Sequence, residues 1–423
     1  MNFLVWLLIL YSNREKFCSR NEGLKLKRKV CMLLCYLPFL DSRIFECEAK
    51  SLVKHGYDVT ILAPRKNGFL FYIDGKPFSN QFRDEIFHYH GIKVIAYDSE
   101  KRSSDYLVDP LFQLGLKEEA DFYHAHELNS FSYGKEIKRV LKEQQNKEVK
   151  LIYDSRQITP DPMSSKINAE TKQNWMKMLQ ENIKEVDYII TVSNSIKAWY
   201  LAINPLLPVE VIYNAPPLTP TIKEKSTSDD SFVIAHEGNI SKETFEKIKA
   251  ITSDYNGKKG IQFKIIGGSR YGNEMLLTPN HLQSRIKLTG WVDYQTLSLA
   301  MSDVDIGFID LDPSSSLNNA FSMPHKLFSF LNNGIPVVAN KCSDLEKFIK
   351  THHCGVVIDK LTPSSLDYIE AIKYVEQHPD EWETMRKNAR KVMEATYSWE
   401  HMENRLLSVY QSLDANSLPY LLS

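Results

Sequence analysis

Short runs of aliphatic and β-branched residues alternate with amphipathic stretches from Lys29 almost to the end of the chain, and the series occurs twice. Such alternation builds parallel sheets, because parallel neighbours need a crossover of a dozen or more residues, most often a helix. The first series predicts strands at Lys29–Cys35, Tyr57–Ala63, Ile92–Tyr97, Asp121–His124, Lys150–Tyr153, Asp187–Val192 and Val209–Ile212. The second predicts them at Phe232–Ala235, Gln262–Ile266, Arg285–Leu288, Val304–Ile309, Ile335–Ala339 and Gly355–Ile358. The first helix, Ser42–His55, turns Ile44, Cys47 and Leu52 inward, takes Ser42 as its cap and stops at Gly56. Between the two series, Asn214–Ser231 (NAPPLTPTIKEKSTSDDS) has little to bury and reads as a linker.

The expected organisation is therefore a tail (1–28), a doubly wound α/β domain (29–213), the linker (214–231), a second such domain (232–395), and a return helix with a tail (396–423). Within the last part, Trp399, Met402, Leu406, Leu407 and Tyr410 share one helix face and need a surface to pack on. Two doubly wound domains facing one another bring the carboxyl ends of both sheets to one cleft, where ligands bind in such folds.

The 52 Lys plus Arg against 53 Asp plus Glu, interspersed over most of the chain, give no electrostatic footprint for nucleic acid. Six cysteines (18, 31, 35, 47, 342 and 354) show no CxxC pair or zinc-type spacing and read as reduced thiols of a cytoplasmic protein. Asp303-Val304-Asp305 and Asp310-Leu311-Asp312 are too short as motifs to imply a cation site, so no metal is expected. The apolar run Phe3–Tyr11, followed by Arg14, Lys16, Arg20 and Lys25, is too short to span a bilayer. It fits an interfacial anchor at a membrane surface, a disordered tail, or an upstream extension from a misplaced start.

Six segments in fixed order resemble the retaining glycosyltransferases of the two-Rossmann GT-B type, family 4 (glycosyl transferases group 1): Leu37–Pro64, Ala120–Phe131 with HAHE, Lys150–Gln157, Val186–Ile196, Pro208–Pro217, and Gly290–Val357 with MPHKLFSFLNNGIPVVAN. The resemblance spans roughly Lys29–Leu413. It implies transfer of a hexose from a nucleoside-diphosphate sugar to a glycan or lipid-linked acceptor, with retention, without a metal and without a cofactor beyond the co-substrate.

It also implies roles for particular residues. The turn holding Gly238 and Asn239, with Lys242 after it, and the loop from Ser314 through Asn319 to Pro324 and Lys326, would hold the donor diphosphate at helix N-termini. Ser329 would take the ribose, His126 with Glu127 beside it the sugar and its proton, and Asp41, Arg43 and Arg156 the acceptor side. Asp41 and Arg43 equally suit a mutual ion pair that fixes their loop.

The chain departs from the family pattern at several of these positions. Ser329 stands where the pattern has a ribose-binding Glu, the position one family spacing upstream is Phe321, and the basic pair after the Gly-Asn turn is reduced to Lys242. A serine makes one neutral hydrogen bond where a carboxylate accepts charge-assisted ones. The alternative function is accordingly a catalytically impaired GT-B protein that binds or stabilises an active glycosyltransferase.

Overall fold

The computed structural model describes residues 27–219, 231–269 and 276–415. The apolar run Phe3–Tyr11, the basic residues from Arg14 to Lys25, Cys18, most of the linker and the final residues lie outside the described residues.

The first sheet has eight strands: β1 (Lys29–Leu33), β2 (Asp58–Arg65), β3 (Ile86–Tyr89), β4 (Ile92–Asp98), β5 (Phe122–Ala125), β6 (Lys150–Ser155), β7 (Tyr188–Thr191) and β8 (Val209–Val211). Their order is β3-β4-β2-β1-β5-β6-β7-β8, parallel except for β3. The second sheet has six: β9 (Ser231–Asn239), β10 (Gly260–Gly268), β11 (Ile286–Gly290), β12 (Ile306–Ile309), β13 (Val337–Asn340) and β14 (Gly355–Ile358). These run in the order β11-β10-β9-β12-β13-β14 with every pairing parallel.

All thirteen predicted strands are present with ends shifted by a few residues, and β3 is additional. It pairs antiparallel with β4 through His90-Gly91, both at positive φ (50° and 78°), the geometry of a two-residue hairpin turn. Only the glycine is a strong signal for that turn, which is why the strand escaped prediction.

The first helix differs in two respects. It winds as a π-helix over Ser42–Ala49 before becoming α over Lys50–Lys54, and its cap is Asp41 rather than Ser42. The Asp41 carboxylate accepts the amides of Arg43 (3.0 Å) and Ile44 (3.2 Å), and a carboxylate also complements the positive end of the helix.

The terminal helix Trp399–Ala415 crosses back onto the first domain. Trp399 donates its indole N–H to Ser51 (2.9 Å), and the Tyr410 ring packs on Phe122 (5.0 Å) and Tyr57 (5.3 Å) while its hydroxyl reaches His124 (2.9 Å). Met402 and Leu406 are fully buried in a core cluster that includes residues of both domains. This helix thus holds the two sheets in one arrangement. Leu406→Ala is expected to lower unfolding free energy by about 2–5 kcal/mol, measured by urea denaturation.

Candidate functional site

The carboxyl end of the first sheet rests on a buried cluster of charge. Arg43 is wholly inaccessible. Its Nε and Nη2 bind the two Asp154 oxygens (2.8 and 3.0 Å), and Nη1 donates to the Ile212 carbonyl (2.9 Å). Nε also stands 3.0 Å from Glu48 Oε1. Burial opposes the Asp154 charge, but Arg43 outweighs it and holds this carboxyl well below the usual range. Burial, reinforced by the Asp154 charge, pushes the Glu48 carboxyl up.

His126 belongs to this cluster: Nδ1 lies 3.4 Å from Asp154 Oδ2, the ring stacks on His124 at 4.4 Å, and the side chain is closed to solvent. Contrary to expectation, His126 therefore has no exposed face for a sugar. Burial holds His124 well below the ordinary imidazole range.

Glu127 is likewise diverted from catalysis. Its carboxylate accepts the amides of Cys35 (2.9 Å), Tyr36 (2.8 Å) and Leu37 (3.0 Å), and it caps the Leu128–Gln145 helix in a reciprocal box with Ser130. With three amides on one carboxylate, Glu127 fixes the loop after β1.

Asp41 and Arg43 do not pair with each other. Asp41 binds Arg156 (2.9 Å), which overcomes burial and holds its carboxyl below the usual range. Arg43, spent on Asp154, is removed from the acceptor side for want of any exposed surface. Asp41 and Arg156 remain at the cleft, and Arg156 keeps a fifth of its side chain exposed.

On the facing domain, β9 delivers His236, Glu237, Gly238 and Asn239 to the start of the His325–Asn332 helix. Gly238 has φ 86°, and a Cβ on neighbouring Gly267 (φ 134°) would stand 2.2 Å from the Gly238 carbonyl oxygen, so this turn closes on glycine. Lys242 opens the next helix and is exposed. Pro324 occupies the cap position of His325–Asn332 and supplies no side-chain cap. In that first turn, Lys326 Nζ lies 3.2 Å from His236 Nε2, and His325 Nδ1 lies 3.6 Å from Glu237. Burial lowers Lys326 to about 8, with Glu237 and Asp310 opposing. His236, buried beside that ammonium, titrates well below the usual imidazole range.

Ser329 departs from expectation again. It is buried, and its hydroxyl meets His325 Nδ1 at 3.1 Å one helical turn back, so no free hydroxyl faces the cleft for a ribose.

Between the domains lies a cavity of about 240 Å³ whose walls include Arg156, Asn214, Asn319, Ser322, Pro324 and His325. Residues expected on opposite sides of a transfer reaction thus share one space. Asn319 lies in the short helix Leu317–Ala320, whose start is latched across the cleft by Asp161, which accepts Ser316 Oγ (2.6 Å) and the amides of Leu317 (3.1 Å) and Asn318 (3.2 Å). Asn318 also exchanges hydrogen bonds with the Ile158 backbone (2.6 and 2.9 Å). A second bridge joins Ser195 to Asp344 (2.8 and 2.9 Å).

The two Asp-x-Asp strings do not converge on a cation. Asp303 pairs with Lys264, Asp305 accepts the Val233 amide, Asp310 meets Lys247 and Tyr368, and Asp312 accepts from Ser314. The sequence reading missed Asp161, His236 and the Glu237–His325 pair. Glu237 directly precedes the Gly238 turn and His325 lies in the MPHKLF string, but their partnership spans 88 positions and needs the folded chain.

Two doubly wound domains around this cleft define the GT-B fold. Residues 245–408 match the model of a family described as glycosyl transferase-like. Solved structures with the same fold include sucrose-phosphate synthase from Thermosynechococcus elongatus (14% identity over 92% of this chain and 100% of that one, TM-score 0.65). Another is HepE of Anabaena in complex with UDP and glucose (14% identity, 91% and 100% coverage, TM-score 0.66). A third is WaaG, a glycosyltransferase involved in lipopolysaccharide biosynthesis (10% identity, 90% and 99% coverage, TM-score 0.58). No curated protein sequence matches the chain. Among the described residues no helix is long and apolar enough to cross a membrane.

Asp161→Ala removes the shared acceptor of the latch. Each hydrogen bond to a charged group is worth about 1.5–3 kcal/mol. Amide exchange at Leu317 and Asn318, followed by mass spectrometry, is expected to accelerate at least about tenfold.

Proposed function

We propose that the chain transfers a hexose from a nucleoside-diphosphate sugar to a hydroxyl of a glycan or lipid-linked acceptor, with retention and without a metal at the diphosphate. It would act in the cytoplasm, its basic, apolar tail lying on a membrane surface. The observation that carries this reading is the start of the His325–Asn332 helix, which has no side-chain cap, opens on the interdomain cavity and bears Lys326 in its first turn. Breaking an anomeric C–O bond leaves charge on the departing diphosphate, and preformed amides and an ammonium at that position stabilise it without reorganising. Gly238, Asn239 and Lys242 extend this donor side, while Asn319 lines the cavity between it and Arg156. Arg156, held by Asp41, orients the acceptor, and the departing phosphate oxygen takes the acceptor proton.

The reading is tested by thermal shift of the purified protein against UDP, GDP, ADP, CMP and their sugars. A ligand at about 100 times its dissociation constant adds roughly 2.7 kcal/mol. One nucleoside diphosphate and its sugar are expected to shift the wild type and to leave Lys326→Ala unmoved. Silence of a folded wild type towards every nucleotide would sink the proposal.

Lys326 also sets a pH dependence. Its ammonium persists below about 8 and is lost above. Affinity for the diphosphate is therefore expected to fall as pH rises from 7 to 9, and Lys326→Arg to flatten that fall, in calorimetric titrations.

Ser329 and Phe321 in place of carboxylates favour a second reading, a non-catalytic partner of an active glycosyltransferase. Ser329→Glu separates the two. Donor binding at least about tenfold tighter in the variant marks an eroded site, whereas unchanged binding to a wild type that already holds donor marks an intact, altered one.

A further inference from the structure

Beneath the cleft floor, five of the fourteen buried side-chain polar atoms without a hydrogen-bond partner, among the described residues, belong to three neighbours: Glu48 Oε1 and Oε2, His124 Nε2, and His126 Nδ1 and Nε2. Glu48, His124, His126 and Asp154 each direct a donor atom into one place, all within 4.8 Å of one another. His126 Nδ1 lies 3.4 Å from Asp154 Oδ2 and 3.7 Å from Glu48 Oε2. Buried polar atoms in native proteins have partners, and Glu48, whose Oε1 has only the Arg43 ion pair at 3.0 Å and whose Oε2 has no hydrogen bond, is a costly exception.

The chemistry of the set narrows what would satisfy it. Two imidazoles and two carboxylates match the ligands of tetrahedral zinc, with metal–ligand distances of about 2.0–2.2 Å that place donor atoms about 3.3–3.6 Å apart. The outer contacts are those of a ligand set. His124 turns Nδ1 to the Tyr410 hydroxyl (2.9 Å), leaving Nε2 to face inward, and Arg43 holds Asp154 by both oxygens. Arg43 Nε touches both carboxylates of the set, Glu48 Oε1 at 3.0 Å and Asp154 Oδ2 at 2.8 Å.

We propose that Glu48, His124, His126 and Asp154 bind one divalent first-row metal ion of the zinc class. The site is structural, because all four residues are buried and supply four donors, so no open coordination position remains. It ties the first helix to β5 and β6 and, through Tyr410, to the terminal helix that joins the domains. It is separate from the donor diphosphate and independent of the transfer reaction proposed above. The positions 48, 124, 126 and 154 have no motif spacing, so the sequence expectation of no metal could not register it.

Full-length protein, purified without chelator and passed over a desalting column, is expected to retain about one zinc per chain by elemental analysis. After removal of the metal, Co²⁺ should restore visible d–d bands of a tetrahedral nitrogen–oxygen site, with no thiolate charge-transfer band. Zinc should also raise the melting temperature of the metal-free protein. Glu48→Gln and His124→Gln should abolish stoichiometric retention. Tyr410→Phe, which keeps the ring packing and removes the hydrogen bond to His124, should weaken affinity by roughly tenfold. A folded wild type that takes up no stoichiometric Zn²⁺ or Co²⁺ overturns the proposal. So does metal retained equally by Glu48→Gln and His124→Gln, or a thiolate band. If the variants fail to fold, the wild-type stoichiometry and cobalt spectrum decide.

Discussion

Arg43 bound to Asp154 in the interior is the interaction on which the cleft depends. Taking both charges out of water is expensive, and the pair persists because the guanidinium meets both carboxylate oxygens and a backbone carbonyl at once. Removing one partner would strand the other, at a cost of about 3–5 kcal/mol. This pair clamps the first helix to β6 and to the chain just after β8. It also places Asp41, two residues before Arg43, beside Arg156, two residues after Asp154. The cleft-facing pair is therefore a consequence of the buried one.

The facing domain meets this rigid floor through polar contacts. Asp161 gathers a hydroxyl and two amides from the start of the Leu317–Ala320 helix, and Asp344 gathers two donors from Ser195. Leu317 and Phe321 pack against the first domain's core behind them. Asn318, held by the Ile158 backbone and Asp161, lines the cavity that unites Arg156 with Pro324 and His325. On its second-domain wall the His325–Asn332 helix begins without a side-chain cap, with Lys326 in its first turn.

The fold was largely legible because it follows from periodicity. Thirteen strands and the packing face of the terminal helix rest on local patterns of apolar residues. The parallel order follows from crossover length. The hairpin strand β3 was hidden because His90 adopts a left-handed conformation that its side chain does not announce. The Asp41 cap lay one residue before Ser42, and cap preference alone does not separate aspartate from serine.

The site was legible in its segments but less so in its roles. Asn319, Pro324 and Arg156 line the interdomain cavity, Asp41 binds Arg156, and Lys326 follows in the first turn after Pro324. Arg43, His126, Glu127 and Ser329 do not serve as expected, and in each case burial or a competing partner is the cause. Sequence by itself determined two doubly wound domains and the helix that rejoins them, because strand and helix periods are written into consecutive residues. Only the tertiary structure decided which charges pair, since Arg43 and Asp154 are 111 positions apart and a side chain's chemistry is set by what desolvates it.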